Sequence, residues 1–400
     1  MKKCGKITMA MALLFVFAMM LAACGGGGSE SGGEEPAGDA DAATGAETGD
    51  AADTSTAYHF GINTWGSGVP ILDMFGDDAE YVVQEVFGMT DTRASDDFTA
   101  DKELQNAQNF AAAGVDGMIL QGAAVSTVPQ IGEVCKSAGV PFVFHVFIGD
   151  DADLDKLADS NEYYVGAIDA DMVYDGEEMG KAAYESGART AVLIGGNVGD
   201  NNMDQRSDGF RRGFESLGGT VLDEARCTDN SECLQKATTM LNAHPDADAL
   251  YAMVGDYIPG SLQAIKDLGL DTKVFLSCVD EASAKLIQSG DIVMGNDGIG
   301  LASFIAPTLM INYLDGQPIL GPDGKAPRFR TSPFKVTKEN AEAYLSIFAT
   351  QGEHPMTPEV LQNLCYRYNP DVSYDDYADL FANGLTLNAL LEAHGLPAVD

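Results

Sequence analysis

Residues Gly114–Val146 pass from an apolar run to a polar stop, through a helical pattern, and into a second apolar run. Met118, Ile119 and Leu120 form the first run, and Gln121-Gly122 stops it. Ser126 stands where a helix would be capped, Pro129 falls in its first turns, and Ile131, Val134 and Cys135 recur at helical spacing. Gly139 ends that helix, and Val140–Val146 is a nearly continuous apolar run rich in Val and Phe. A strand that is apolar on both faces suits a parallel sheet covered on both sides. Strand, helix and strand in one such sheet take a right-handed crossover. Gln121 follows the first strand and His145 ends the second. Ligands of open α/β sheets bind beyond the carboxyl ends of the strands. The pattern returns in Asp246–Asp280, about 130 residues later, and a repeat at that distance predicts two similar doubly wound lobes.

The flanking pattern extends both lobes. Tyr58–Asn63 is a first strand, followed by a loop with Trp65, a helix to about Val86, a strand near Phe87–Thr92 and a helix over Asp101–Ala113. Gly149–Glu162 reads as an acidic loop and Tyr163–Ile168 as a fifth strand. A second lobe runs from Asp169 to Asn296, with strands at Thr190–Ile194, Thr220–Arg226, Ala249–Met253, Lys273–Cys278 and Ile292–Asn296. The first lobe then comprises 58–168 and 297–336, closing with a crossing strand at Pro327–Val336. Residues 337–400 read as a helical extension, with helices at Ala341–Ala349, Pro358–Leu364 and Leu385–His394. Tyr366, Tyr368, Tyr374 and Tyr377 lie among these helices. The extension is expected to pack against one lobe; the alternative is a docking surface for a partner.

The chain start changes the setting. Lys2, Lys3 and Lys6 precede the apolar stretch Ile7–Ala23, which is short for a membrane span and has the form of a signal peptide over 1–23. It ends in Leu21-Ala22-Ala23-Cys24, a spacing that resembles the bacterial lipobox, so Cys24 is the expected lipidation site and lipid anchor to the membrane. Residues 24–57 are Gly, Ser, Ala and acid with no large apolar side chain, which predicts a disordered tether. The formal charge of −38 argues against nucleic acid and against an anionic membrane surface as partners.

Of the seven cysteines none is spaced C-x-x-C, which disfavours zinc. Cys227 and Cys233 flank a polar loop, where either a disulfide or two reduced thiols fit. Asp151, Asp153, Asp155, Asp159 and Glu162 match positions 1, 3, 5, 9 and 12 of a calcium loop, but Lys156 stands where its sharp turn needs Gly. The reading is a solvated acidic loop, with no metal and no cofactor. The sequence contains neither a G-x-S-x-G elbow nor H-E-x-x-H, which disfavours a hydrolase.

Five segments together resemble the ribose-type (type I) substrate-binding proteins of bacterial ABC sugar transporters: FGINTWGSGVP, LQNAQNFAAAGVDGMIL, AGVPFVFHV, RSDGFRRGFESLGG and LNAHPDADALYAMVGD. The resemblance covers about Tyr58 to Val336. It implies two parallel-sheet lobes joined by a multi-strand hinge near Ile168–Asp171, Asn296–Gly298 and Arg328–Phe334, with a small-molecule ligand, most simply a sugar, held between them. Several expected ligand contacts differ. Val146-Phe147 stand where the family has Asp-Arg, Gly255-Asp256 where it has Asn-Asp, and Leu276-Ser277-Cys278 at the end of its Gly-Phe-Asp strand. Asn296, followed by Asp297, takes the place of its Gln.

Neutral polyols are bound by carboxylates and amides, with aromatic rings against their C–H faces. Asn63, Gln121, Asp204, Asp256, Asp280, Asn296 and Asp297 fall at predicted strand ends or in the loops after them, and Trp65 and Phe147 are the candidate rings. His145 is a further candidate with a core role as its alternative; Arg206, one turn into a helix, fits a structural hydrogen-bonding role better than direct contact. The expected protein is an exported, lipid-anchored, monomeric receptor that hands its ligand to an ABC transporter permease. The alternative is a sensory receptor that presents the ligand to a kinase or chemoreceptor.

Overall fold

Apolar strands without alternation need cover on both faces, and the chain supplies it twice. The computed structural model describes residues 56–146, 151–197, 200–228, 230–349 and 354–399. Cys24, the leader and nearly all of the tether, together with Phe147, lie outside the described residues. The first lobe contains β1 (His59–Thr64), α1 (Pro70–Glu80), β2 (Thr90–Ser95), α2 (Ala100–Ala113), β3 (Gly117–Leu120), α3 (Val128–Ala138), β4 (Phe142–His145), α4 (Asp151–Ser160) and β5 (Tyr164–Ala170). The second contains α5 (Met172–Glu185), β6 (Thr190–Gly195), α6 (Asn201–Ser216), β7 (Thr220–Arg226), α7 (Asn230–Ala243), β8 (Ala249–Ala252), α8 (Ile258–Leu268), β9 (Lys273–Ser277), α9 (Glu281–Ser289) and β10 (Met294–Asp297). The chain returns to the first lobe through α10 (Leu301–Leu314), buried at every residue from Leu301 to Asn312, and then forms β11 (Arg328–Thr331) and β12 (Phe334–Thr337).

Each sheet has six strands. Their orders are β2-β1-β3-β4-β5-β11 and β7-β6-β8-β9-β10-β12. All pairings are parallel except β12 with β10. The repeated order brings the carboxyl ends of five consecutive strands to one edge of each sheet, as the two sequence units predict. The lobes are joined at β5–α5, β10–α10 and β11–β12. Asp169, at the first crossing, accepts hydrogen bonds from Arg328 and Arg330 on the neighbouring β11, both Arg330 contacts being 2.9 Å.

Four expectations change. The acidic stretch is a helix, not a loop: Leu154 and Leu157, three residues apart, are buried, and the acids around them face outward. A helix strings Asp151, Asp155 and Asp159 along one face and turns Asp153 to another, so they do not wrap around one point as a calcium loop does. Second, the Pro327–Val336 segment is two strands in different sheets. Proline has no N–H to offer a ladder and pushes its neighbour out of register, and the break falls at Ser332-Pro333. Residues 334–336 therefore lie in the second sheet. Third, the extension meets both lobes. It comprises α11 (Ala341–Phe348), α12 (Pro358–Asn363), α13 (Tyr374–Asp379) and α14 (Leu387–Ala393). Of these, α11 packs on α9 and β12, while α12 packs on α10. The early strand also starts later than its apolar pattern predicts. The turn after α1 runs on as a π-helical stretch, Tyr81–Val86, and postpones β2 to Thr90.

In the second lobe α5 and α6 cross at backbone distance. Gly176 and Gly180 of α5 face Gly209 and Gly213 of α6, and a Cβ on any of them would collide with a backbone carbonyl across the interface. In the first lobe buried polar groups tie the strand ends together. Asp96, just after β2, accepts from Asn63 Nδ2 at 2.5 Å and Asn106 Nδ2 at 2.8 Å. Glu103 accepts from Ala123 N at 3.0 Å and lies against the Thr127 hydroxyl. That hydroxyl also faces Ala124 O at 2.6 Å. One hydroxyl hydrogen cannot serve two acceptors, and a protonated Glu103 donating to Thr127 resolves the count. Burial pushes Asp96 and Glu103 each up to about 7, in Asp96 against the opposing hydrogen bonds from Asn106 and Asn63.

Two outcomes follow from this packing. Gly209→Ala is expected to destabilise the protein by about 1–3 kcal/mol, read as a lowered urea midpoint; an unchanged midpoint contradicts the close crossing. A carboxyl with a raised folded pKa contributes stability that is complete below about pH 4 and is lost as pH rises through 7. The melting temperature is therefore expected to fall between pH 5 and pH 8. Glu103→Gln, which keeps the shape and the Thr127 bond, is expected to flatten that fall; an equally steep profile in the variant removes Glu103 as its source.

Candidate ligand-binding site

The predicted residues gather at the carboxyl edges of the two sheets. Those loops are held under strain: Asp97 and Phe98 after β2, Val146 after β4 and Cys278 after β9 have φ of 48°, 59°, 50° and 57°. Left-handed backbone at non-glycine residues is uncommon, least of all expected at a β-branched valine, and concentrates at functional sites. Val146 and Cys278 follow corresponding strands of the two sheets.

In the first lobe, Asn63 accepts from Gln121 N at 2.6 Å and donates to Asp96, so its amide is spent on the scaffold. The Trp65 N–H donates to Gln121 Oε1 at 2.5 Å. This uses the oxygen of the Gln121 amide and leaves its Nε2 buried with no protein partner. His145 is fully buried, its Nδ1 3.0 Å from Ser303 Oγ on α10, and its Nε2 has no partner either. Burial pulls its pKa down to about 3, so the ring is neutral at physiological pH. Trp65 is half-buried and meets the exposed Phe98 edge to face at 6.4 Å.

In the second lobe, Arg206 has no exposed surface. Its Nε donates to Asp175 Oδ2 at 2.7 Å and its Nη2 to Cys278 Sγ at 2.8 Å, while Nη1 has no partner. Asn296 Nδ2 donates to the same Asp175, to Oδ1 at 3.0 Å. Asp204 pairs with Arg226 at 2.9 Å, and Asp280 caps α9 through Ser283. Asp297 is buried beside the Tyr344 hydroxyl at 2.6 Å, and burial pushes it up to about 7. That hydroxyl also faces Val279 O at 2.9 Å, so a protonated Asp297 can donate to Tyr344 while Tyr344 donates to the carbonyl. Asp256, in the turn Gly255–Tyr257, makes no hydrogen bond among the described residues; burial, and then Asp280, raises its pKa. The Cys227 and Cys233 thiols are free and buried. Among the described residues no group of His, Cys, Asp and Glu is arranged to hold a metal ion.

The candidates thus divide. Asn63, Asp204, Asn296 and Asp297 are bound to protein partners, and Asp280 serves as a helix cap. Gln121 Nε2, His145 Nε2 and Arg206 Nη1 are the buried side-chain polar atoms without a partner among the described residues. An unmet buried donor costs roughly 1–3 kcal/mol, and all three lie at strand ends or on the helix packed against one. Sequence reasoning missed Asp175, which reads as an ordinary first-turn helix acid, and Tyr257, whose hydroxyl would lie 3.0 Å from a Cβ on Gly196. It also missed Phe98 and Tyr344. The aromatic residue directly after Gly255-Asp256 was the one signal available for Tyr257.

Comparison with known proteins agrees with this geometry. The periplasmic binding protein domain family matches residues 73–318. The chain is 24% identical over 175 residues to the ribose import binding protein of Bacillus subtilis (strain 168), a match spanning 44% of this chain and 55% of that relative. Among solved structures, a carbohydrate transporter protein from Acidothermus cellulolyticus 11B in complex with myo-inositol superposes with a TM-score of 0.64 at 20% identity, covering 75% of this chain and 100% of that one. The arabinose ABC transporter component from Shewanella sp. ANA-3, bound to L-arabinofuranose, gives 0.63 at 18% identity, covering 73% and 96%. A galactofuranose binding protein gives 0.62 at 18% identity, covering 73% and 98%. Fold and family therefore coincide, and the chain belongs to the periplasmic binding protein domain family.

Proposed function

We propose that this protein is the substrate-binding component of an ABC importer. It closes its lobes on a small neutral polar ligand, a monosaccharide or polyol, and delivers it to the permease. The observation that carries this reading is the set of buried unpartnered nitrogens, Gln121 Nε2 and His145 Nε2 in the first lobe and Arg206 Nη1 in the second. A ligand rich in hydroxyls supplies acceptors for Gln121 Nε2 and Arg206 Nη1, and a hydroxyl meets His145 Nε2 in either tautomer. His145 is neutral and Asp175 balances the Arg206 charge. With Asp256 and Asp280 near one another and a formal charge of −38, nothing there favours an anion. The names of the relatives point the same way: ribose, arabinose, galactofuranose and myo-inositol. A hydrogen bond to a charged group contributes about 1.5–3 kcal/mol, so a few of them reach the roughly 8 kcal/mol of micromolar binding. Bending at the three crossings closes the lobes, and the closed form is what the permease distinguishes. Leu21-Ala22-Ala23-Cys24 supports acylation at Cys24 and residues 24–57 a tether, which would hold a monomeric receptor at the outer face of the cell membrane.

Native mass spectrometry of the purified protein, followed by melting-temperature screens with ribose, arabinose, galactose and myo-inositol, tests the ligand class. A retained mass or an upward shift with one of them is expected, and a response confined to charged ligands overturns the neutral-polyol reading. With the responding ligand, Gln121→Ala is expected to weaken binding more than tenfold by calorimetry; parental affinity in a folded variant would take Gln121 out of the site. Trp65 is the only tryptophan, so its fluorescence is expected to change on binding. A constant spectrum alongside measured binding heat places it outside the contact surface.

A further inference from the structure

The family match ends at residue 318, and the solved relatives are covered almost to their full length by about three quarters of this chain. The helices after β12 lie beyond that family match. They do not form a separate body. Helix α11 belongs to the second lobe, packed on α9 and β12, with Tyr344 and Phe348 stacked at 4.4 Å and Phe334 of β12 against both rings. Tyr344 is buried and sits against Val279 O and the Asp297 carboxyl, at the carboxyl ends of β9 and β10.

The chain then crosses to the first lobe. His354 stacks flat on Tyr81 at 3.6 Å and stands edge-on to Phe304 of α10. The Tyr377 hydroxyl meets Thr308 of α10 at 2.7 Å and Leu364 O at 2.9 Å. Phe329 of β11 stacks with Tyr374, Tyr377 and Phe381. Arg367 pairs with the buried Asp315 at the end of α10 and donates to Thr56 O, where the described chain begins. Finally α14, with Leu387, Leu390 and Leu391 buried, returns to pack against α11. The extension is therefore fastened on both sides of Ser332-Pro333 and closes on itself across that crossing.

A bend at the hinge moves α11 with the second lobe and α12–α14 with the first. It must slide α11 along α14 or release it, because packed interfaces have discrete arrangements and do not deform continuously. We propose that the C-terminal extension is a strap over the hinge that limits how far the lobes separate, with Tyr344 as the positioning residue that fastens it to the ligand-binding end of the second lobe. Loosening the strap widens the range of open states. Its effect is on the hinge and is measurable with no ligand present, so it stands or falls separately from the identity of the ligand.

The test is electron–electron resonance distance measurement between nitroxides at Ser137→Cys on α3 and Gln235→Cys on α7, both exposed positions, one on each lobe. The full chain is used with Cys4→Ser and Cys24→Ser, the remaining cysteines being buried. In ligand-free protein Tyr344→Phe and Leu390→Ala are expected to lengthen and broaden the interlobe distribution. Tyr377→Phe, whose hydroxyl reaches only α10 and the extension itself, is expected to lower the melting temperature and leave the distribution unchanged. Distributions for Tyr344→Phe and Leu390→Ala that superimpose on the parent overturn the strap and leave the extension a stabilising buttress. Equal broadening by Tyr377→Phe overturns it as well, since general loosening would then explain the result.

Discussion

The second lobe is built around a buried ion pair. A guanidinium with no solvent exposure must have its charge answered inside the protein, and Asp175, itself 1% exposed, answers that of Arg206 at 2.7 Å. Removing one partner of such a pair leaves an uncompensated buried charge and costs about 3–5 kcal/mol, so both residues are fixed by necessity. Their positions set the rest. Asp175 lies in the first turn of α5, just beyond the first hinge crossing, and Arg206 in α6. The pair can form at this distance because the four glycines of the α5–α6 crossing remove the side chains that would hold the helices apart. Asn296 on β10 completes the ring by donating to Asp175 Oδ1, and Cys278 after β9 accepts from Arg206. Two helices and two strand ends are thereby placed relative to one charge, and one guanidinium nitrogen is left over.

The first lobe reaches a similar arrangement without a buried cation. There the loops after β1, β2 and β3 are tied by neutral amides and two carboxyls that burial pushes toward protonation. The charge at its hinge edge is handled differently. Asp169 is nearly buried, yet Arg328 and Arg330 reach it from β11 with half-exposed guanidinium groups that still see water. This gives a firm strand pairing at the crossing at a smaller desolvation cost than a fully buried pair.

Much of this was legible in the sequence, for a physical reason. Apolar runs that must be covered on both faces have few alternatives, so β7 at Thr220–Arg226 is found at its predicted bounds. Gln121, His145 and Arg206 stood out as polar residues where apolar strands stop or on the helix that follows. What was not legible depended on contacts between distant residues. A run of acids looks like a loop until Leu154 and Leu157 find a surface to bury against. Tyr344 says nothing of Asp297, 47 residues away, until β12 has joined the second sheet. The positive φ of Val146 has no local cause in a valine. Pro333 carried the signal for a break that the reading of one crossing strand passed over, and nothing local shows that its two sides belong to different sheets.

If the proposed ligand site is right, the two lobes offer it different kinds of polar group, and the difference bears on how binding and release are balanced. Gln121 and His145 are neutral, and burying a neutral polar group costs far less than burying a charge. Arg206 is charged, yet its charge is already met within the lobe, so the cost of desolvating it is met on folding and does not recur with each ligand. On the proposed reading the affinity rests on groups that are held in place by other bonds: Gln121 through Trp65 and Asn63, His145 through Ser303, Arg206 through Asp175 and Cys278. Preorganised donors spend little conformational entropy on binding. The remaining variable is the hinge, because the energy a ligand gains by bridging the lobes must exceed what the crossings and the helices packed over them resist.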